Sequence, residues 1–292
     1  MKSQAAMEYL MTYGWAILVI AVVLAALYSL GVFNPNTFAP KASADSCEVV
    51  RPFGPTTTTD VHLEGTCTNM LPKYAAQFNG KNSEAINTNF EPTGVSDITI
   101  TAWVNNNGRG NYWQNIAEVS GGNQRSDVTL DIGVTGSGGA PVVRWSDYAD
   151  AFQNQPNAGT ISPNKWYFVV GTWDGSTNKL NIYLDGKLVN SGSGNNTKTT
   201  SISIINIGGP YPGMSNFNGS IANVQIYNTS LSANQIIALY QEGIGGDPIE
   251  LTNLVGWWSL NGNADDYSGN KNNGKEYNIG YSSTWYRTYS AP

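Results

Sequence analysis

Only one imidazole is available to this chain, because His62 is its single histidine. That excludes a multi-histidine metal centre and leaves at most one Ser-His-Asp arrangement. His62 also lies between two cysteines in a stretch that reads as a surface hairpin, so no catalysis is expected of it. The carboxylates are no better placed for acid–base work. Asp265 and Asp266 are adjacent, and neighbours in extended chain point to opposite faces, so they make no ready acid/base pair. What remains is Glu8, the pair Cys47 and Cys67, and an Asn/Gly-rich turn from Asp266 to Gly274.

Glu8 stands at the head of a run, Tyr9 to Pro40, that contains no charged side chain. At about 1.5 Å per residue, Tyr9 to Phe33 is long enough as a helix to cross a hydrocarbon layer roughly 30 Å thick. Such a segment needs lipid or an equally apolar bundle of its own copies, because its backbone groups must pair internally. A lone carboxylate in that setting costs several kcal/mol unless a positive group meets it. Asn34-Pro35 and Pro40 stop the helix, since proline cannot continue the ladder.

The leader Met1-Lys2-Ser3, the position of Glu8 and the Tyr-Leu-Met-Thr-Tyr-Gly-Trp-Ala-Ile sequence resemble the class III signal of archaeal type IV pilins. The resemblance implies cleavage between Ser3 and Gln4 by a prepilin peptidase, which makes Glu8 the fifth mature residue. The freed α-amine of Gln4 would then pair with Glu8 of a neighbouring subunit. Two other readings stay open. One is an ordinary single-pass anchor. The other is a secretory signal peptide cut after Ala42-Ser43-Ala44, although the apolar run exceeds a 7–15-residue h-region.

Beyond the anchor, 16 Tyr and 9 Trp with abundant Gly, Thr, Asn and Ser favour strands and turns. Charged residues make up only 12%, net charge is −6 and no basic patch occurs, so nucleic acid is not an expected partner. Glu48 to Arg51 and Asp60 to Glu64 alternate as two strands around Phe53-Gly54-Pro55-Thr56. A Cys47–Cys67 disulfide would clamp them on an exported segment, two free thiols being the alternative. From Tyr74 onward strand follows strand. Asp97 to Val104 alternates at period 2, and Trp166 to Trp173 is apolar enough to be central. Asp185-Gly186 is the sharpest hairpin signal. Only Ser232 to Glu242 reads as a helix, with Ser232 as N-cap, Ile236, Ile237 and Tyr240 on one face, and Gly243 as the stop.

Ala76 to Gly80, Ile98 to Val104, Lys165 to Tyr167, Gly171 to Ser176, Leu180 to Lys187 and Phe217 to Asn228 together resemble the LamG-like, concanavalin-type jelly roll. The expected class is therefore mainly β: a long hydrophobic N-terminal α-helix followed by an antiparallel β-sandwich. Leu254 to Leu260 with Asp266 to Gly274 resembles the segment that normally opens such a domain, yet here it comes last. It completes its own sandwich, completes a neighbour's in trans, or begins a truncated second module; closeness of the termini favours the first.

The resemblance carries site expectations with it. The Asp266-to-Gly274 turn is similar to a calcium-binding loop, for which Asp266, Asn270 and Asn273 could supply oxygens. A plain Asn/Gly turn is the alternative, and Ala222-Asn223 stands where the family usually has Asp-Glu. Sugar binding by ring stacking points to Trp113, Trp145, Tyr148 and Tyr211, each of which could equally be core or rim packing. Asn195, Asn218 and Asn228 open N-glycosylation sequons.

These readings divide the chain into a leader (1–3), a transmembrane or filament-core helix (4–34), and a linker with clamped hairpin (35–73). A jelly roll (74–246) and a C-terminal segment completing it (247–292) follow. The expected protein is a structural subunit of an extracellular pilus-like filament displaying an adhesive or glycan-binding domain. Its partners would be identical subunits, the prepilin peptidase, a membrane assembly platform and glycans. The alternative is a membrane-anchored lectin-like surface protein that never polymerises. An enzyme, such as a glycan hydrolase on the same sandwich, ranks third.

Overall fold

A computed structural model describes residues 13, 15–25, 42–68, 70–81, 86–89, 96–108, 113–120, 126–134, 141–147, 156–194, 204–209 and 216–292. The chain divides into two compact units, Met1–Lys41 and Ala42–Pro292. In the first unit, residues 15–25 are helical and exposed. Among the described residues no helix is long and apolar enough to cross a membrane. The expected helix is thus seen only over this short part, and Ser3, Gln4 and Glu8 lie outside the described residues.

The second unit is built of β-strands. In chain order they are β1 (Ala42–Ser43), β2 (Cys47–Val50), β3 (His62–Gly65), β4 (Met70–Leu71), β5 (Ala75–Asn79) and β6 (Ile86–Asn89). Next come β7 (Asp97–Asn106), β8 (Trp113–Ser120), β9 (Ser126–Val134), β10 (Pro141–Asp147), β11 (Asn157–Thr160) and β12 (Trp166–Asp174). The last are β13 (Lys179–Leu184), β14 (Lys187–Ser193), β15 (Ile204–Ile207), β16 (Asn218–Tyr227), β17 (Leu254–Trp258), β18 (Lys275–Glu276) and β19 (Gly280–Ser282). A seven-stranded sheet runs β11-β10-β9-β8-β15-β6-β18, and an eight-stranded sheet runs β14-β13-β12-β7-β16-β5-β19 with β17 also on β16. The pairings within both sheets are antiparallel. Between β13 and β14, Asp185 and Gly186 both have positive φ (48° and 76°), the backbone a two-residue hairpin of matching twist requires.

Alternation decides the layers. Ile98, Ile100, Ala102 and Val104 of β7 meet Ala117, Val119, Leu130, Ile132 and Trp145 of the other sheet in one continuous core. The opposite side of the eight-stranded sheet is apolar too. Trp103, Phe168, Val170, Ala222 and Tyr227 there form a second core with Cys47, Val49, Ile236, Leu239 and Trp285. That second core is roofed by the helix Ala233–Glu242. Ser232 and Gln235 close a capping box at its start, and Gly243 (φ 82°) ends it. Its buried residues are Ile236 and Leu239. Ile237, expected on the packed face, is 40% exposed, because the contact stripe runs one residue to the other side.

The C-terminal segment pairs within its own chain. Val224 to Tyr227 of β16 carry β17, β18 pairs with β6, and β19 pairs with β5. Half of β16 holds β5 and half holds β17, and the change occurs where its register against β7 shifts between Ala222 and Gln225. Asn223 at that shift takes φ 47°, which asparagine tolerates better than most residues. Its side chain accepts from Gln225 Nε2 and Trp257 Nε1 and donates to Gly246 O. Cys47 and Cys67 form a disulfide across the hairpin of β2 and β3.

Candidate functional site

On the seven-stranded sheet the residues pointing away from the core are polar yet buried. Glu118 of β8 lies opposite Thr129 of β9 and Asn206 of β15. Asp131 lies opposite Asn115 of β8 and Arg144 of β10. Simple alternation would put Asn115 and Glu118 on opposite sides. The register shift between Asn115 and Ala117 inserts a residue, so both Ile116 and Ala117 join the core. Asn115 therefore shares the outer side with Glu118 and donates Nδ2 to Glu118 Oε2 at 3.0 Å and to Gly209 O at 3.2 Å.

Arg144 and Asp131 form an ion pair through one oxygen. Arg144 Nε and Nη2 both donate to Asp131 Oδ1, at 2.9 and 2.7 Å. Burial pushes the Asp131 carboxyl up, and the charge and hydrogen bonds of Arg144 pull it back down. Four side-chain oxygens on this face accept from no donor: Asn115 Oδ1, Thr129 Oγ1, Asp131 Oδ2 and Asn206 Oδ1. A buried acceptor without a partner costs about 1–3 kcal/mol, so four on one face is a concentrated demand for hydrogen-bond donors. The single histidine, His62, lies elsewhere, on the β2–β3 hairpin.

The residues expected from sequence fall elsewhere. Trp145 is fully buried in the core, its indole N–H donates to Thr172 O at 3.0 Å, and it presses on Gly171. It is a packing residue and offers no ring to a sugar. Trp113 lies in β8 without a described side chain, and Tyr148, Tyr211 and Asn195 lie outside the described residues. Asn218 is half-buried at the start of β16 and accepts from Asn107 Nδ2, whereas Asn228 is exposed at its end.

The turn from Asp266 to Gly274 is occupied by its own chain. Asp266 Oδ1 accepts from Trp257 N and Ser268 N, and Oδ2 accepts from Ser268 Oγ and Asn272 N, all at 2.8–2.9 Å. A carboxylate has about four lone-pair sites, and all four are taken. Asn270 Oδ1 accepts from Thr56 N, and Asn273 Oδ1 from Asp266 N. Among the described residues no group of three or more His, Cys, Asp or Glu could hold a metal ion. These oxygens do not fit a calcium site. They brace the turn, and burial pushes the Asp266 carboxyl up against those four hydrogen bonds.

Arg51, on which no motif or spacing falls, completes that brace. Its Nε donates to Ser268 O, its Nη2 to Leu251 O and Leu254 O, and its Nη1 to Thr57 O. Burial pushes the guanidinium down, and nearby Asp266 opposes this. His62, on the same hairpin, is exposed, and its ring nitrogens meet Asp60 O and Glu64 Oε1. Those hydrogen bonds raise its pKa, a surface effect.

The profile described as the Concanavalin A-like lectin/glucanases superfamily matches residues 79–237. The chain belongs to this superfamily. No curated protein matches the sequence. Among solved structures, a Bacteroides ovatus protein assigned to carbohydrate binding superposes with TM-score 0.53 at 21% identity, over 76% of this chain and 66% of that one. A heptameric SAP-like pentraxin from Limulus polyphemus reaches 0.48 at 16% identity, over 57% of this chain and 81% of that one. A carbohydrate-binding module of a Ruminococcus gnavus sialidase bound to sialyllactose reaches 0.42 at 18% identity, over 58% of this chain and all of that one. At such identities the likeness is one of fold. Measured against the superfamily span, the polar face on β8, β9, β10 and β15 lies inside it, whereas β17, β18, β19 and the hairpin lie beyond.

Proposed function

We propose that the sandwich is a carbohydrate-binding module and that it works without turnover. Membership of the superfamily over residues 79–237 is the observation that carries this reading, and the fold likeness to a carbohydrate-binding protein agrees with it. A glycan array probed with the full chain tests it, and binding to at least one glycan class, with no new reducing ends released, is the expected outcome. A blank array would remove the reading, and released sugar would replace it with hydrolysis.

We further propose that the chain is a subunit of a type IV pilus-like filament at the cell surface. Residues 1–3 would be the leader, 4–34 the helix inserted first in the membrane and then in the filament core, and 35–73 the connection to the sandwich. Residues 247–292 would complete the fold of 74–246. Support comes from Glu8 standing alone before an uncharged run that ends at Pro40. The disulfide agrees with an oxidising exterior, where Asn195, Asn218 and Asn228 would meet glycosylation. Glu8→Ala is expected to abolish filaments while leaving the sandwich folded. Electron microscopy of sheared surface material, with circular dichroism of the variant, checks this; normal filaments would remove the pairing argument.

A further inference from the structure

The tip of the β2–β3 hairpin carries a run of four threonines behind a proline, Pro55-Thr56-Thr57-Thr58-Thr59. It lies between the last residue of β2, Val50, and the first of β3, His62, so no strand ladder claims its backbone. Its path is fixed all the same. Arg51 Nη1 donates to Thr57 O, Thr56 N donates to Asn270 Oδ1, and the Cys47–Cys67 disulfide closes the base. The four hydroxyls are treated unequally. Thr57 is half-buried, and its Oγ1 donates to Gly54 O at 2.6 Å. Thr56, Thr58 and Thr59 are exposed, and among the described residues no hydrogen bond holds their hydroxyls. Thr56 also takes φ 62°, where a β-branched side chain is strained and Asn, Asp or Gly would sit more easily. Threonine there costs the turn stability, and its hydroxyl offsets none of that cost.

We infer, resting on the reading of the chain as a cell-surface protein, that Thr56, Thr58 and Thr59 are O-glycosylation sites and that Thr57 is not. Threonine clustered with proline is the composition of O-glycosylated segments, and here the hydroxyls stand in solvent on a braced loop. In the transfer, a threonine Oγ1 attacks the anomeric carbon of a sugar carried on a nucleotide or lipid phosphate. The bond from that carbon to the phosphate oxygen breaks, the phosphate leaves with the electron pair, and the hydroxyl proton passes to a base of the transferase. A glycosylated oxygen still accepts hydrogen bonds but no longer donates. Thr57 is excluded on that count, because modification would strip the bond that it gives to Gly54 O. The added sugars would hydrate a tip that also carries Phe53, 65% exposed.

Mass spectrometry of the protein recovered from its own cells tests this. After reduction and cleavage behind Glu48 and Glu64, the peptide Val49–Glu64 holds the four threonines and no Ser, Tyr or Asn, so any sugar on it is O-linked to threonine. Its mass should rise by up to three sugar chains, and fragmentation by electron transfer should place them on Thr56, Thr58 and Thr59 with Thr57 bare. Thr58→Val combined with Thr59→Val should reduce the shift to that of one chain. An unmodified peptide would overturn the inference, as would sugar on Thr57 alone. A shift matching phosphate would overturn it by making the run a phosphorylation site. The peptides carrying Asn218 and Asn228 keep the two levels apart. Sugar on those asparagines beside a bare hairpin would remove only the threonine sites. Bare asparagines, a bare hairpin and a protein missing from sheared surface material would remove the cell-surface reading as well.

Discussion

The two sheets of this sandwich treat their outer faces in opposite ways. The eight-stranded sheet turns Trp103, Phe168, Val170 and Tyr227 outward, and the helix, the hairpin and the C-terminal segment bury them as a second core. Among its polar groups Thr101 Oγ1 and Trp103 Nε1 have no partner, whereas others are paired. Trp166 Nε1 donates to Trp285 O, Trp285 Nε1 to Pro72 O, and Asn223 uses both ends of its amide. The seven-stranded sheet turns Asn115, Glu118, Thr129, Asp131 and Asn206 outward, equally buried, with four oxygens left waiting. The second face thus carries the larger uncompensated cost, four oxygens against one hydroxyl and one indole nitrogen.

The largest expected effect tests how far the first face depends on the end of the chain. A chain ending at Glu250 loses β17, β18, β19 and with them buried Leu254, Trp257, Trp258 and Leu260. Removing a single buried Trp side chain costs about 3–5 kcal/mol, so losing this set exceeds the 5–15 kcal/mol that holds a typical domain. No cooperative thermal transition should remain. A sharp melt from the shortened chain would mean that the second core is an accessory.

Next comes the brace. Arg51→Met keeps the aliphatic stem but strips donors from Ser268 O, Leu251 O and Leu254 O. Hydrogen bonds from a charged group are worth about 1.5–3 kcal/mol each and do not add fully, so a loss of about 3–4 kcal/mol is expected. In a domain of this size that lowers Tm by roughly 8–12 °C. Arg51→Lys should not restore it, because an ammonium cannot reach three carbonyls at once in the guanidinium's geometry. Reducing the Cys47–Cys67 disulfide follows, at about 3 kcal/mol for the 20-residue separation on the chain-entropy model. Hydrogen exchange should show the loss concentrated in β2 and β3, with the two large sheets changed little; uniform exchange would show the hairpin to be part of one cooperative unit.

The first face was legible in the sequence because its signals are local. Period-2 alternation marked β7, an unbroken apolar run marked β12, the Asp185-Gly186 pair marked a hairpin, and Ser232 with Gly243 bounded the helix. The Asp266-to-Gly274 turn was visible as a turn, but its chemistry was not. Whether its oxygens were open to a cation depended on donors from Thr56, Trp257 and its own backbone. Arg51 acts on Ser268, 217 residues away, a distance no pattern reports. The polar face was missed for a different reason. Outward polar residues on an alternating strand read as an ordinary wet surface, and the shift between Asn115 and Ala117 broke the spacing that would have aligned Asn115 with Glu118. Aromatic residues drew attention instead, and Trp145 proved to point inward.

The smallest effect is also the one that separates the faces most cleanly, because it compares two substitutions of modest size and predicts opposite signs. Asn223→Ala, on the first face, removes an amide that donates to Gly246 O and accepts from Gln225 and Trp257, and it puts alanine at φ 47°. It leaves the buried Trp257 indole N–H without a partner and Gly246 O with only the 3.3 Å bond from Gln225 Nε2, so about 1–3 kcal/mol should be lost. Thr129→Val, on the second face, removes a hydroxyl that is fully buried and accepts from nothing. Valine nearly matches threonine in shape, and the hydroxyl's desolvation is no longer uncompensated, so the domain should gain up to about 1 kcal/mol. Thermal melts of the two variants beside the parent decide the matter. A destabilised Thr129→Val would show that its oxygen already has a structural partner in the free protein. The second face would then be a stabilising surface like the first.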